Sequence, residues 1–340
     1  MKDSAFLRFR YGVLLRLSRL FNRSFLPPVE VLITLTNRCN LKCIMCNFHN
    51  YPMDIRDELS TKDIISMVEQ LKNLKIGNIT FSGGEPLLRS DLFEIIHYAH
   101  SLGMNTTLLT NGTIMEDDLV KRINDSGLNS IWVSIDGLED THDSIRGKGS
   151  FVKSINFIKT IIKECPAVSL NIATTVMNSN LEDIPRLLQL WEEMKVKQVS
   201  LQPVIPDNTD WNNKKDKDVQ WVPEQRLSLL DKIMEETIDF KKKSGIIIND
   251  FNFLNLIKRY FKKDLDKVGR KLYCYEGFKR FTITAGGSLW ICGTEMKLNI
   301  VKHGLNKCWN SSEVRKKRRE MLKCRQTCLQ VCSFELNADK

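Results

Sequence analysis

Apolar and polar positions alternate in blocks along this chain. Short apolar runs at 30–35, 77–82, 105–110, 130–135, 168–174 and 198–203 are of strand length. Runs with helical spacing, at about 60–74, 91–102, 116–126, 150–164 and 181–194, separate them. Ser60 or Thr61 precedes the first of these helices and Ser90-Asp91 opens the next, residue types that cap helix N-termini. Each strand-to-strand step is ~25–35 residues, the size of a right-handed βαβ unit. Six such strands predict a parallel sheet wrapped by helices, closed or partly closed.

The flanks depart from this rhythm. Residues 1–24 read as a basic amphipathic helix. Phe6, Phe9, Val13, Leu17 and Leu20 recur at helical spacing, with Arg8, Arg16, Arg19 and Arg23 off that line, and Pro27-Pro28 ends it. Such a helix either packs on the main domain or meets a membrane surface. Residues 207–270, rich in Lys, Asp and Asn with scattered aromatics, predict a helical connector. Beyond 271, Phe281-Thr-Ile-Thr284, a Gly286-Gly287 turn and Ser288-Leu-Trp-Ile-Cys292 carry a hairpin signal. The expected units are a 1–28 helix, a 29–206 core, a 207–270 connector and a small 271–340 domain.

Composition narrows the class. At 42% hydrophobic and 27% charged, the 340 residues make a globular mixture rather than a disordered one. No run approaches the ~18 apolar residues of a spanning helix, and the apolar stretch from Tyr11 is cut by Arg16 and Arg19, so no signal peptide is expected. A net charge of +10 fits an anionic partner or a solvated basic surface. The most basic run, Arg315–Arg319, is expected on an exposed helix face. A cytoplasmic, reducing setting makes the ten cysteines candidate metal ligands rather than disulfides. Nine of them fall within 39–46 and 274–332; Cys165 is expected as a small buried hydrophobe.

Cys39-Asn-Leu-Lys-Cys43-Ile-Met-Cys46 follows the first predicted strand, where parallel α/β sheets carry function. Thiolates ligate zinc or iron–sulfur clusters, and structural zinc wants four ligands, commonly in two pairs. Three thiolates on a four-iron cubane leave one iron open for a ligand.

This C-x3-C-x2-C spacing resembles the hallmark of the radical S-adenosylmethionine (radical SAM) superfamily. Thr80-Phe-Ser-Gly83-Gly84-Glu85-Pro86 resembles its GGE segment, which in the family binds the amino group of the cofactor. Leu109-Thr110-Asn111-Gly112 looks like its TNG segment, and Val133-Ser134-Ile-Asp136-Gly137 resembles its ribose-contacting region. In His142-Asp-Ser-Ile-Arg146-Gly147, Arg146 is similar to the residue that pairs with the cofactor carboxylate. The match covers about residues 30–205. It implies a partial (β/α)6 TIM-like barrel, a [4Fe–4S] cluster on Cys39, Cys43 and Cys46, and S-adenosylmethionine held by Gly83, Gly84, Glu85, Thr110, Asn111, Ser134, Asp136 and Arg146. In the family, reductive cleavage of that cofactor yields a 5′-deoxyadenosyl radical that abstracts hydrogen, and the electron comes from a flavodoxin or ferredoxin.

Cys274, Gly287 and Cys292 resemble the opening of the SPASM and Twitch extensions, which carry auxiliary [4Fe–4S] clusters. Cys324, Cys328 and Cys332 follow at four-residue intervals. The full SPASM cysteine pattern is absent, so these five residues imply one small C-terminal iron–sulfur site, with zinc on the same thiols as the alternative; Cys308 falls outside the pattern. Only about 30 residues precede the first strand, short for a peptide-recognition domain. The expected substrate is therefore a small molecule, a sugar or a lipid-linked intermediate, with a ribosomal peptide as the alternative. A non-catalytic zinc-binding or nucleic-acid-binding protein is the competing class, disfavoured by the GGE segment.

Overall fold

The computed structural model describes residues 2–50, 53–205, 220–265, 273–324, 329 and 334–335. A helix, α1 (Lys2–Phe21), leads into six β-strands: β1 (Glu30–Thr34), β2 (Asn78–Ser82), β3 (Asn105–Thr110), β4 (Ser130–Ser134), β5 (Ser169–Val176) and β6 (Gln198–Pro203). Between them run α2 (Thr61–Asn73), α3 (Leu92–Ser101), α4 (Leu119–Ser126), α5 (Glu139–Arg146), α6 (Ser150–Glu164) and α7 (Ile184–Glu193). Then come α8 (Leu227–Ser244) and α9 (Phe251–Phe261), followed by β7 (Tyr273–Cys274), β8 (Arg280–Ile283), β9 (Ser288–Ile291) and β10 (Thr294–Asn299). The chain closes with α10 (Ile300–His303), α11 (Leu305–Trp309), α12 (Ser312–Leu322) and β11 (Phe334–Glu335).

The six strands pair in parallel in chain order, giving the expected α/β partial barrel. Every strand and interstrand helix read from the apolar pattern forms within a few residues of its expected bounds. α5 was not foreseen: eight residues with two buried positions, His142 and Ile145, are too short to show a period. Ser60 caps α2 as expected, accepting the N–H of Asp63 at 3.2 Å. Asp91 makes no such cap; its carboxylate is taken up by Arg89 at 2.6 and 2.8 Å.

The C-terminal hairpin forms, and it joins the barrel sheet. β8 lies parallel to β1, pairing Glu30 with Arg280, and β9 and β10 extend antiparallel beyond it. The order is therefore β10-β9-β8-β1-β2-β3-β4-β5-β6. One apolar cluster runs from Ile33 and Phe81 to Leu289, Ile291 and Trp309, so barrel and hairpin share a core. Cys165 and Cys308 are both buried in it. In the connector, α8 and α9 are helical as expected; residues 206–219 lie outside the described residues.

α1 packs through a different line from the one its apolar spacing predicted. Leu15 is buried against Tyr275 and Phe278, with Tyr11 beside them, and Ser18 is buried one turn on. Arg19 donates to the Cys274 carbonyl at 2.9 Å and Asn22 to that of Arg315 at 2.9 Å. Val13 and Leu20 face outward, Leu20 with 74% of its surface exposed. Hydrogen bonds to the C-terminal segment set the rotation of the helix, and hydrophobic spacing alone carries no record of them.

Leu15→Ala should therefore cost about 2–4 kcal/mol in urea unfolding, while Leu20→Ala should stay within about 0.5 kcal/mol of the parent. Equal losses would contradict this orientation.

Candidate cofactor site

The loop after β1 is fixed before its first cysteine. Gly84 N–H donates to Thr36 O at 2.7 Å and Glu85 N–H to Arg38 O at 2.8 Å, which continues the β1–β2 pairing past the strand ends. A Cβ on Gly84 would lie 2.2 Å from the Arg38 carbonyl oxygen, so only glycine permits this approach. Gly84 thus lets the β2 end lie directly against the neighbouring backbone while also lining the cavity. Glu58, outside every motif, accepts from the Thr36 hydroxyl and pairs with Arg38 and Arg89. Arg89, itself buried, donates to the carbonyls of Leu35 and Leu59, both at 3.1 Å.

Glu85 is fully buried. Its carboxylate accepts from the Thr110 hydroxyl and the Asn111 N–H, both at 2.8 Å, and from Leu87 N–H at 3.1 Å. Burial pushes its pKa above the ordinary value, against the pull of those hydrogen bonds. Glu85 thus ties the β2 end to the β3 end. The Asn111 amide reaches on to Asn40 in the cysteine loop at 2.9 Å, and Asn40 donates to Thr113 at 2.8 Å.

Across the sheet, Asp136 has a similar role. Its carboxylate pairs with Arg146 Nε at 2.6 Å and accepts Thr175 N–H at 2.7 Å. Its own N–H donates to His142 Nδ1 at 3.2 Å, and its carbonyl accepts from Asn180 at 2.6 Å. Arg146, held in this way, brings Nη1 to 4.0 Å from Cys43 Sγ.

A cavity of about 290 Å³ opens between these ends. Cys39, Cys43, Cys46, Gly83, Gly84, Thr110, Asn111, Ser134 and Arg146 line it together. Glu85 and Asp136 stand behind the lining and position it. Outside the predicted site residues, Leu41, Met45, Phe48, Ser82, Leu109, Thr175 and the stretch Gln202–Ile205 complete the wall. The one signal for the last five was their place at the C-terminal ends of predicted strands.

The three loop thiols line this cavity together and are the right donor type for an iron–sulfur cluster, although among the described residues no three His, Cys, Asp or Glu side chains already converge on a metal position. Burial pushes Cys43 up to about 11, against the pull of Arg146, and raises Cys39 likewise, against the Leu41 N–H 3.4 Å from its sulfur. Such thiols stay protonated alone and lose their protons on binding metal. Of the C-terminal set, Cys274 and Cys292 are half-buried and Cys324 is exposed. Burial raises Cys292 most, Lys317 lowers it, and Cys324 is close enough to raise it further. Cys328 and Cys332 lie outside the described residues.

Residues 33–191 match the family model described as the Radical SAM superfamily. The AdoMet-dependent heme synthase of Methanosarcina barkeri is 25% identical over 316 residues, 88% of this chain and 87% of that protein. The sporulation killing factor maturation protein SkfB of Bacillus subtilis is 32% identical over 166 residues, 48% of this chain and 39% of that protein. For several curated relatives the matched stretch spans only 39–44% of their length. Among solved structures, Streptococcus suis SuiB bound to its precursor peptide SuiA shares the fold, with a TM-score of 0.70 at 17% identity, covering 91% of this chain and 71% of that one.

His142 gives this region a pH signature. Its burial, with the Arg146 cation adding to it, lowers its pKa from 6.5 to about 4. The folded form then stays neutral while the unfolded chain takes up a proton as pH falls through 6.5. Stability is full above that value and is lost toward pH 4, by about 2 kcal/mol between pH 7 and pH 5. In His142→Asn, whose Oδ1 replaces Nδ1 as acceptor, urea unfolding should lack this step; an unchanged pH slope would remove His142 as its source.

Proposed function

Because the match over residues 33–191 makes this chain a member of the radical SAM superfamily, we propose that it cleaves S-adenosylmethionine reductively and abstracts hydrogen from a side chain of a peptide. The observation that carries the chemistry is the single cavity in which three loop thiols meet the Asp136-held Arg146. The superfamily's cofactors are a [4Fe–4S] cluster and S-adenosylmethionine.

When bound, they supply one electron and a 5′-deoxyadenosyl radical that takes a hydrogen atom from carbon. Cys39, Cys43 and Cys46 would hold the cluster through their thiolates. Arg146 offers a guanidinium, already oriented by Asp136, to the cofactor carboxylate. Gly83 and Gly84, by their resemblance to the family's segment, would take the cofactor's amino group, and Ser134 its ribose, from the cavity wall they line. Thr110 and Asn111 reach the cofactor only at their cavity faces, since their polar groups are engaged by Glu85, Asn40 and Thr113. Leu41, Met45, Phe48 and Val204 give the cavity apolar wall that would limit water around a bound substrate. Cys274, Cys292 and two of Cys324, Cys328 and Cys332 would supply the four ligands of a second cluster, leaving one thiol over. A flavodoxin or ferredoxin, acidic against this basic chain, supplies the electron.

The substrate reading departs from the small-molecule expectation. The PqqA peptide cyclase of Xanthomonas oryzae is by name peptide-modifying and SkfB is by name a maturation protein, which supports a peptide. A second reading, a tetrapyrrole side chain, is favoured by the heme synthase match, which runs through the C-terminal region as well. Peptide-dependent acceleration of 5′-deoxyadenosine release under dithionite supports the first; acceleration by an iron porphyrin alone overturns it in favour of the second.

Anaerobic protein should hold roughly eight irons and eight sulfides, and the Cys39/Cys43/Cys46→Ala triple variant about four. Cys43→Ala should form no 5′-deoxyadenosine. Arg146→Ala should bind S-adenosylmethionine about 10-fold or more weakly, the loss of one charge-assisted contact. Equimolar zinc without sulfide would end the assignment.

The outer face of α1 supports contact with an anionic lipid surface. Leu20, Phe21 and Phe25 are exposed together, and Arg10, Arg16 and Arg23 are exposed around them. No described helix is long and apolar enough to cross a membrane. Phosphatidylserine vesicles should co-sediment the protein at low salt, and Leu20→Ser with Phe21→Ser should abolish this. Undiminished binding by that double variant would exclude the face.

A further inference from the structure

Several threonine hydroxyls near the C-terminal ends of the barrel strands are already in use. Thr36 donates to Glu58, Thr110 to Glu85 at 2.8 Å and Thr174 to the Ile135 carbonyl at 2.7 Å. Thr175 differs from them. Thr174 turns its side chain to the buried face of β5, so strand alternation turns Thr175 toward the cavity that it lines. Thr175 is half-buried, and its hydroxyl has no hydrogen-bond partner among the described residues.

The Thr175 backbone is held on both sides. Its N–H donates to Asp136 Oδ1 at 2.7 Å, and its carbonyl accepts from Asn180 Nδ2 at 2.7 Å. Asn180 is buried, and the same Nδ2 donates to the Asp136 carbonyl at 2.6 Å while its Oδ1 accepts Met177 N–H at 2.9 Å. One side-chain amide thus ties the end of β5 to the end of β4, and a buried polar group with its bonds made is rigid. The other oxygen of Asp136, Oδ2, takes Arg146 Nε at 2.6 Å. Thr175 and Arg146 are therefore neighbours on the two oxygens of one carboxylate, and both line the cavity.

This pair offers an anion two donors of different kinds. Arg146 has Nε committed to Asp136, while its Nη groups have no oxygen partner among the described residues; Nη1 has only the Cys43 sulfur, at 4.0 Å. Arg146 is the one cation among the described lining residues, and Asp136 already matches part of its charge. A hydroxyl beside it adds a hydrogen bond to a charged acceptor without a second cation to bury. A carboxylate, with two oxygens and about four lone pairs, can take both donors at once.

We propose that Thr175 is a further cofactor-binding residue, its hydroxyl donating beside the Arg146 guanidinium to the carboxylate of S-adenosylmethionine, an inference that rests on the reading of Arg146 above. Arg146 supplies the charge, and Thr175 fixes the direction of the second carboxylate oxygen. Asn180 is the positioning residue for both, because it holds the carbonyls of Asp136 and Thr175.

The test is anaerobic calorimetric titration of the full chain with S-adenosylmethionine and with decarboxylated S-adenosylmethionine, which lacks only the carboxylate. Thr175→Val keeps the shape of the side chain and the backbone N–H for Asp136 but removes the hydroxyl; Thr175→Ser keeps the hydroxyl; Thr175→Ala repeats the valine contrast without its second methyl. Thr175→Val should bind S-adenosylmethionine roughly 10-fold more weakly, the loss of one hydrogen bond to a charged acceptor. Its affinity for the decarboxylated ligand should be unchanged, and Thr175→Ser should stay close to wild type with both. Undiminished S-adenosylmethionine affinity in Thr175→Val and Thr175→Ala would overturn the proposal alone. So would equal losses for the two ligands, or a loss in Thr175→Ser as large as in Thr175→Val, because packing needs no hydroxyl. An Arg146→Ala variant that weakens both ligands equally would overturn the reading of Arg146, and this proposal with it.

Discussion

The site depends on a backbone contact: the two hydrogen bonds by which Gly84 and Glu85 grip the carbonyls of Thr36 and Arg38. They carry the β1–β2 ladder past its natural end, so the cysteine loop leaves the sheet from a rigid frame. Everything that follows inherits that frame. Glu58 and Arg89 brace it from one side, and Glu85 passes its orientation to Asn111 and, through Asn40, back to the loop. An added methyl group at Gly84 has nowhere to go, because what it meets is main chain and not a side chain that can turn aside.

Asp136 organises the opposite wall by a different physics. It is a buried carboxylate whose charge is matched by one guanidinium and one peptide N–H, with a neutral imidazole accepting from its backbone. A buried ion pair of this kind adds little net stability. What it does provide is direction: Arg146 has one low-energy orientation, toward the cavity and Cys43. The two walls thus divide between them the placing of a thiol loop and the aiming of a cation.

Much of this was legible in the chain. Strand and helix bounds followed from apolar spacing because each strand is buried and each helix presents one face to it. The cavity lining followed from the spacing of Cys39, Cys43 and Cys46 and from the glycine and arginine segments that end successive strands. What could not be read shares one cause, dependence on partners far away in sequence. Arg89 acts through backbone carbonyls that any residue would offer, and Glu58 through the Thr36 hydroxyl and the guanidinium groups of Arg38 and Arg89. The rotation of α1 is set by Arg19 and Asn22 reaching residues 274 and 315. Arg318 looks like its exposed neighbours until Trp309 and Phe278 enclose it. A one-dimensional pattern records period and composition, and it is silent about such long-range closures.

The pairing of β8 with β1 has a consequence for how the chain is made. Glu30 meets Arg280, and the first strand of the barrel therefore waits for a partner synthesised 250 residues later. At the usual pace of translation, roughly 5–20 residues per second, that edge stands open for about 10–50 seconds. An unpaired edge of Val31, Leu32 and Ile33 is a template for any other extended segment during that interval. Vectorial synthesis therefore builds the parallel sheet from one side and closes its first edge last, so the nascent chain is most exposed to mispairing beside the loop that carries Cys39, Cys43 and Cys46.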